Sequence, residues 1–509
     1  MDNDRDQQEP VASPNEGVKT QGLYRNTLSL VGGALAAVSL ANIIFLFLID
    51  AISGHPSPYV GIFGFMVMPA FLVLGLLLIP VGMLLERNRR RRRAAGEIPP
   101  YPRIDLNNPK QRSALAFFLS FVVVFVILSA VGSYRAYEFS DSVQFCGQLC
   151  HTVMNPEFQA YSLSPHARVR CVDCHVGTGA SWYVRSKLSG ARQVYAVMFN
   201  KFPRPIPTPV ENLRPAQETC EACHWPQRFV GDQFRILNHF AEDEKNTPRQ
   251  TRLLIRTGGG DPTTGKATGI HWHMNIGFEI NYAVTDPKRQ KIDWVEIKDR
   301  QTGQTEVYKA KDTQFTDAQF AAAPKRTMDC IDCHNRPTHI YVPPDRSIDL
   351  ALAGGRLDPT MPYIKREAVA ALAAEYKTTP EAMQGIERSL REFYANYPAV
   401  QQVTLNNAIK EVQRIYSVSI FPEMKVDWRT HPDNVGHFYY PGCFRCHDGQ
   451  HVNAKGKAIS NDCYICHVFQ KQETGTATAH LPGVNFDHAG GEIPEGMKCM
   501  DCHSGGVGP

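Results

Sequence analysis

Fourteen cysteines carry the strongest chemical signal in this chain. Twelve form six C-x-x-C pairs, at Cys171/Cys174, Cys220/Cys223, Cys330/Cys333, Cys443/Cys446, Cys463/Cys466 and Cys499/Cys502; the other two, Cys146 and Cys150, form a C-x-x-x-C variant. Each pair is followed at once by a histidine: His151, His175, His224, His334, His447, His467 and His503. C-x-x-C-H is the attachment signature of c-type haem, in which two thioethers tether the porphyrin and the adjacent histidine is brought under the ring as an iron ligand. Zinc half-sites and disulfide frameworks also use paired cysteines, but neither requires a histidine directly after every pair. Seven covalent haems c, with their irons, are expected.

Each iron has a sixth position. Two histidines give a low-spin, low-potential haem suited to electron transfer, whereas Met, Lys or an open position changes potential and access. Of the 18 histidines, seven are proximal and His55 lies in a short loop between apolar runs, which leaves ten: His166, His239, His271, His273, His339, His431, His437, His451, His480 and His488. Seven irons take at most seven partners, so several of these do other work. For the last three motifs the candidates are His437, His451, His480 and His488. His271 and His273 flank Trp272 in a segment that reads as a strand, where alternation would put both on one face as a ligand pair or a proton relay.

The elements that must position these groups begin in a membrane. Apolar runs at about 28–49, 60–85 and 114–131 have the length that spans a bilayer, roughly 20 residues. Between the second and third lies ERNRRRRR, whose six arginines from Arg87 to Arg93 assign that loop to the cytoplasm. Residues 1–26 then form a cytoplasmic tail, the first run acts as a signal anchor, and everything beyond about Ser133 lies outside. In bacteria that outer side of the inner membrane is the periplasm, where haem c is attached. Charge pattern and haem motifs thus agree on the location.

Beyond the anchor of residues 27–135, long apolar runs are sparse, while 35 Pro and 38 Gly are spread through 509 residues. The expected fold is an α-helical membrane anchor plus a haem-dominated, mostly α or irregular periplasmic domain, with a small β insertion at about 270–310. Within the insertion, HWHMNIGFEINYAVTDPKRQKIDWVEIKDRQTGQTEVYKA reads as three short strands, with turns at Asp286-Pro287 and Gly303. REAVAALAAEY, PEAMQGIERSLREFYANY and NNAIKEVQRIY have the spacing of amphipathic helices, with Pro380 suited to a first turn. Motif spacing suggests two haem-bearing lobes: four motifs within 136–345, a helical linker over 346–430, and three motifs within 431–509. The formal net charge of +4 names no polyanionic partner, so nucleic-acid binding gains no support.

From about Ala114 to His339 the chain resembles the NapC/NirT family of membrane-anchored multihaem quinol dehydrogenases. A membrane helix runs directly into the first motif, with Met154 just after it. His166 precedes the proximal His175 by nine residues and Lys187 follows it by twelve, while CIDCHNRPTH places His339 five residues after His334. Two departures stand beside these matches. Met154 is three residues from His151 where the family usually has two, and Gln193 and Val194 occupy the region of a family acidic residue.

The resemblance implies that His166 caps the fourth haem, His339 the third and Lys187 the second, with the first weakly ligated near Met154. It also implies that membrane quinol is oxidised beside the first motif, where Lys187, Met154, Asp141 and Glu157 are the pocket candidates, and that periplasmic c-type cytochromes accept the electrons. Two other readings fit the same sequence: the electron-uptake subunit of a fixed complex with a terminal reductase, and a small-substrate reductase with an open haem near the C-terminus.

Overall fold

The computed structural model describes residues 22–24, 26–53, 68–93, 105–149, 151–176, 180–209, 214–225, 231–261, 266–274, 277–284, 286–474, 477–479, 488, 492, 494, 497–503 and 505. The chain divides into two units, residues 1–141 and 142–509.

Among its described residues the first unit has three long helices: Thr27–Ser53, Met68–Arg93 and Pro109–Ser140. Within the first two, Thr27–Phe45 and Met68–Arg91 are long and apolar enough to cross a membrane. These two helices pack closely because glycines face each other. A Cβ on Gly32 would stand 2.7 Å from the Gly75 carbonyl, and one on Gly75 would stand 2.7 Å from the Gly32 carbonyl. Small residues at a helix crossing let backbones approach in just this way. Ser29 adds a hydrogen bond from its hydroxyl to the Ile79 carbonyl at 2.9 Å. The arginine run closes the second helix, where Arg90 pairs with Glu86 at 2.9 Å. The third apolar run lies inside the helix Pro109–Ser140. His55 and the start of the second run lie outside the described residues.

The second unit holds two larger antiparallel sheets. The three strands expected in the insertion are Phe278–Val284, Ile292–Asp299 and Thr305–Ala310. They belong to a five-stranded sheet edged by Arg326–Thr327 on one side and His451–Asn453 on the other. A four-stranded sheet orders Gln233–Phe240, Pro248–Ile255, His467–Thr474 and Ala477–Ala479. Each sheet takes a strand from the C-terminal cysteine-rich region: His451–Asn453 pairs with Thr305–Ala310, and His467–Thr474 pairs with Pro248–Ile255. The expected tetrahaem and trihaem lobes are therefore not separate bodies, since hydrogen-bonded strands cross the division between them.

The region expected to be a linker builds the main apolar core instead. Helices Pro344–Ala353, Ile364–Ala373, Thr379–Tyr394 and Gln402–Ser419 bury Ile348, Ile364, Ile386, Leu390 and Val412 completely. In the third helix Ala382, Ile386, Leu390 and Tyr394 recur every four residues and all face inward. Thr378 caps that helix by accepting from Glu381 N–H, with Pro380 in the first turn. Val153 and Ala160 join the same cluster from helix His151–Ser162, so the core also seats the residues following the first motif. Side chains, and not haem alone, supply the apolar interior.

A candidate multihaem centre

Each described C-x-x-C pair folds as one short helical turn, which brings both thiols and the next histidine to neighbouring positions. In four motifs the histidine N–H closes the turn on the carbonyl of the first cysteine: His224 to Cys220 at 2.8 Å, His334 to Cys330 at 2.7 Å, His447 to Cys443 at 3.0 Å and His503 to Cys499 at 2.8 Å. Local caps start several of these turns. Asp329 accepts from Ile331 N–H at 3.0 Å, and Asp462 accepts from Tyr464 N–H at 2.9 Å. The thirteen described cysteines are unbridged. Among the described residues, no three His, Cys, Asp or Glu side chains gather as a bare-metal site. Cys150 and the His151 side chain lie outside the description.

Four of the expected tether positions, Cys174, Cys223, Cys463 and Cys502, are exposed. The last motif shows how one pair divides between cover and solvent. Its short helix, Cys499–Cys502, is held to the unit at the Cys499 end, where the sulfur lies 3.7 Å from His437 Nδ1. The other end faces solvent, and the Cys502 thiol donates to the neighbouring Met497 sulfur at 3.8 Å.

Six of the proximal histidines face a second histidine. Ring centres are 6.3 Å apart for His175 and His339, 5.9 Å for His224 and His166, 6.4 Å for His334 and His271, 5.9 Å for His447 and His273, 6.1 Å for His467 and His437, and 6.2 Å for His503 and His488. An iron bonded to two imidazole nitrogens at about 2 Å each puts ring centres roughly 6 Å apart. Several rings commit Nδ1 to a main-chain carbonyl: His273 to Ile270 at 2.7 Å, His447 to Ser460 at 2.7 Å, His339 to Glu157 at 3.1 Å and His166 to Pro337 at 3.3 Å. That bond fixes the tautomer and leaves Nε2 to meet a metal. Burial holds His175, His273, His334, His437, His467 and His503 below the ordinary imidazole value, and brings His339 to about 4. These rings are neutral near pH 7, the form that ligates a metal. The donor set fits six bis-histidine haems.

These neighbours differ from those the resemblance implied. His166 stands by His224 of the third motif, not by the fourth, and His339 by His175 of the second motif, not by the third. His271 and His273 do not lie on a strand. They occupy a 3₁₀ turn, Ile270–His273, because Gly269 at φ +70° turns the chain out of the extended form and Ile270 N–H then bonds the Arg256 carbonyl at 2.8 Å. His451 is buried with both ring nitrogens engaged, Nδ1 on Asp448 at 2.9 Å and Nε2 on the Ile292 carbonyl at 2.8 Å, so neither is free for iron. His480 and the Lys187 side chain lie outside the described residues. Of the remaining two, His239 bonds the buried Asp349, and His431 meets the Thr208 hydroxyl at 3.0 Å.

Glu157 and Met154 sit on the helix that begins at His151. Burial raises the Glu157 carboxyl above the usual range, although Arg336, with Nη2 at 3.9 Å, pulls it down. Asp141 follows the helix Pro109–Ser140, and Lys187 lies within the helix Ala180–Met198.

Neighbouring motifs lie near one another in chain order. Cys171 lies beside Cys146, and Cys220 beside Cys330. Cys174 lies within electrostatic reach of Cys220 and Cys223. His447 reaches the loop before Cys463, and His437, which faces His467, lies beside the Cys499 sulfur. The fourth and fifth motifs are joined by Arg445, whose Nη2 donates to the Asp332 carbonyl at 2.7 Å. Neither residue was singled out in the sequence, although each is the charged residue directly before a second cysteine.

The N-terminal region of the NapC/NirT cytochrome c family matches residues 108–206. The chain is 45% identical to the cytochrome c-type protein ImcH of Geobacter sulfurreducens over 504 residues, which cover 96% of this chain and 99% of that one. No solved structure matches the chain.

Proposed function

The chain belongs to the family of the c-type cytochrome ImcH, with the N-terminal region of NapC/NirT cytochromes, and from that premise we propose that it is an inner-membrane quinol dehydrogenase. It takes electrons from quinol beside the first motif and delivers them through seven haems to periplasmic c-type cytochromes. Membrane anchoring and haem c electron transfer follow from the family; quinol oxidation, the count of seven and the acceptor are our reading.

When bound, each haem supplies an iron that gains and loses one electron. The polypeptide does the rest. Fourteen cysteines would tether seven such groups, and the histidine after each pair would serve as an iron ligand. His339, His166, His437 and His488 would supply the second histidine at the second, third, sixth and seventh motifs, as their ring separations support. His451 is left out of this set because both of its nitrogens are engaged.

Quinol oxidation releases two electrons and two protons per molecule, so acceptors for the protons must stand near the first motif. Glu157 is suited to this, because a carboxyl raised by burial holds a proton nearer neutral pH. Asp141, Lys187 and Met154 are the further candidates, proposed from their places in the sequence.

The observation that carries the reading is the set of six histidine pairs at the spacing an iron would need, with the fourth and fifth motifs joined through Arg445 and the Asp332 carbonyl. A succession of such sites would offer electrons a path through the second unit. The test is reduction of purified Lys187→Ala protein by a quinol analogue and, separately, by dithionite. Quinol-driven reduction should slow at least tenfold while dithionite reduction and haem content stay unchanged. A normal quinol rate with all haems present would remove the proposed pocket.

A further inference from the structure

A turn of four residues, Ile270–His273, stands between two haem motifs. A 3₁₀ helix has three residues per turn, so side chains two positions apart point roughly 120° away from each other. His271 and His273 accordingly look to different sides. His271 stacks opposite His334 of the fourth motif, with 15° between the ring planes at 6.4 Å. His273 stands edge-on to His447 of the fifth motif at 5.9 Å. Each proximal histidine therefore meets its own histidine from one short stretch of chain.

Several constraints hold that turn in place. Gly269 has φ +70°, and a Cβ there would lie 2.5 Å from the Arg256 carbonyl. Ile270 N–H and His271 N–H bond the carbonyls of Arg256 and Thr257 at 2.8 and 3.0 Å. Trp272 packs on Phe278 with ring centres 4.5 Å apart, tying the turn to the five-stranded sheet. His273 Nδ1 bonds its own turn at the Ile270 carbonyl, which aims Nε2 outward. On the proximal side the two motifs are joined as well, through Arg445 and the Asp332 carbonyl.

We infer that His271 and His273 are the sixth ligands of the haems tethered at Cys330/Cys333 and Cys443/Cys446, so that one turn holds two irons. The inference rests on the haem-attachment reading above. It makes the fourth and fifth haems one rigid pair, clamped from the distal side by Ile270–His273 and from the proximal side by Arg445. This pair carries the route from the NapC/NirT-like region into the C-terminal motifs.

The test uses the full-length purified protein. Intact mass gives the covalent haem count, and carbon monoxide binding to the reduced protein gives the number of open irons. His271→Gly and His273→Gly should each keep seven haems and each bind one more carbon monoxide than the parent, and the double variant two more. Added imidazole should restore the low-spin spectrum of each, which a merely structural histidine would not do. Seven haems with unchanged carbon monoxide stoichiometry would overturn the assignment. If a Gly variant loses haem, His271→Met and His273→Met decide. One midpoint potential shifted upward in each supports the assignment, because Met ligation raises potential, and an unchanged set of potentials refutes it. Fewer than seven haems in the parent would instead count against the attachment reading, and so separates the two failures.

Discussion

The Arg445 guanidinium donates from Nη2 to the main-chain carbonyl of Asp332 at 2.7 Å, joining the same position of two haem motifs. Arg445 also donates to the Gly442 carbonyl at 2.8 Å and the Arg289 carbonyl at 3.0 Å, and it is only 8% exposed. The Asp332 carboxylate meanwhile accepts from Tyr282 at 2.6 Å and from Arg326 at 2.7 Å. Two strands and two motifs thus converge on one buried joint. Replacing Arg445 by Gln removes a charged donor from buried carbonyls, at a cost of about 2–4 kcal/mol. It also removes a positive charge that favours the reduced irons, so the midpoint potentials assigned to the fourth and fifth haems should fall. Chemical denaturation and a potentiometric titration check both effects. A stable variant with unshifted potentials would show that the joint is incidental.

Haem number is the next expectation. All fourteen cysteines are allocated to seven motifs. Intact mass of the mature protein should show seven covalent haems. Six would mean that the C-x-x-x-C site at Cys146 and Cys150 goes unused, and would leave the first iron, and with it the proposed quinol pocket, without its tether.

What the sequence disclosed follows the range over which each signal acts. The haem motifs are local in the chain, so each proximal histidine could be read directly from its neighbours. Which thiols face solvent could not: Cys499 and Cys502 share one motif, yet packing against His437 covers the first more than the second. The strands Phe278–Val284, Ile292–Asp299 and Thr305–Ala310 were legible because turn residues separate them. Strand His467–Thr474 was not, because the partner that stabilises it, Pro248–Ile255, lies some two hundred positions earlier and neither segment alternates cleanly. His271 and His273 misled for a physical reason: I-H-W-H has a strand's period of two, but Gly269 at φ +70° starts a 3₁₀ turn. The distal neighbours of the second and third motifs were assigned by analogy, whereas tertiary folding decides which rings meet. The apolar helices around Ile386 and Leu390 were found as helices yet taken for a linker, since spacing reports a buried face but not how many such faces share one core.

Within that core the buried ion pair of Lys365 and Asp349 offers a stability test. Lys365 is 2% exposed and Asp349 fully buried, with Nζ and Oδ1 2.6 Å apart. Asp349 also accepts from Phe240 N–H at 3.0 Å and bonds His239, so one carboxylate ties a helix to a strand. Asp349→Asn leaves an ammonium buried without its counter-charge, and the expected loss is about 3–5 kcal/mol. Denaturant unfolding of Asp349→Asn measures the loss. The double change Asp349→Asn with Lys365→Met should recover part of it, because no lone charge then remains inside. A loss below about 1 kcal/mol in the single variant would contradict the buried-charge account.

The last prediction concerns acid. His431 is 5% exposed, and burial, aided by Arg336 and Lys288, lowers its folded-state value from 6.5 to about 4. Its Nδ1 meets the Thr208 hydroxyl, its Nε2 is buried, and its ring lies beside Tyr341 with ring centres 6.1 Å apart. A histidine whose folded value lies below its unfolded value takes up its proton more readily when unfolded, so acid favours unfolding. The stability that neutral His431 contributes is complete above about pH 6.5 and is lost progressively as the pH falls toward 4, by an amount on the order of 2 kcal/mol. His431→Gln keeps a polar group at the Thr208 contact but cannot take up that proton. Thermal unfolding followed by circular dichroism at pH 7 and pH 4.5 should therefore show a smaller acid-induced drop in midpoint for His431→Gln than for the parent protein. Equal drops in the two proteins would mean that the acid sensitivity resides elsewhere and that His431 is not the group being titrated.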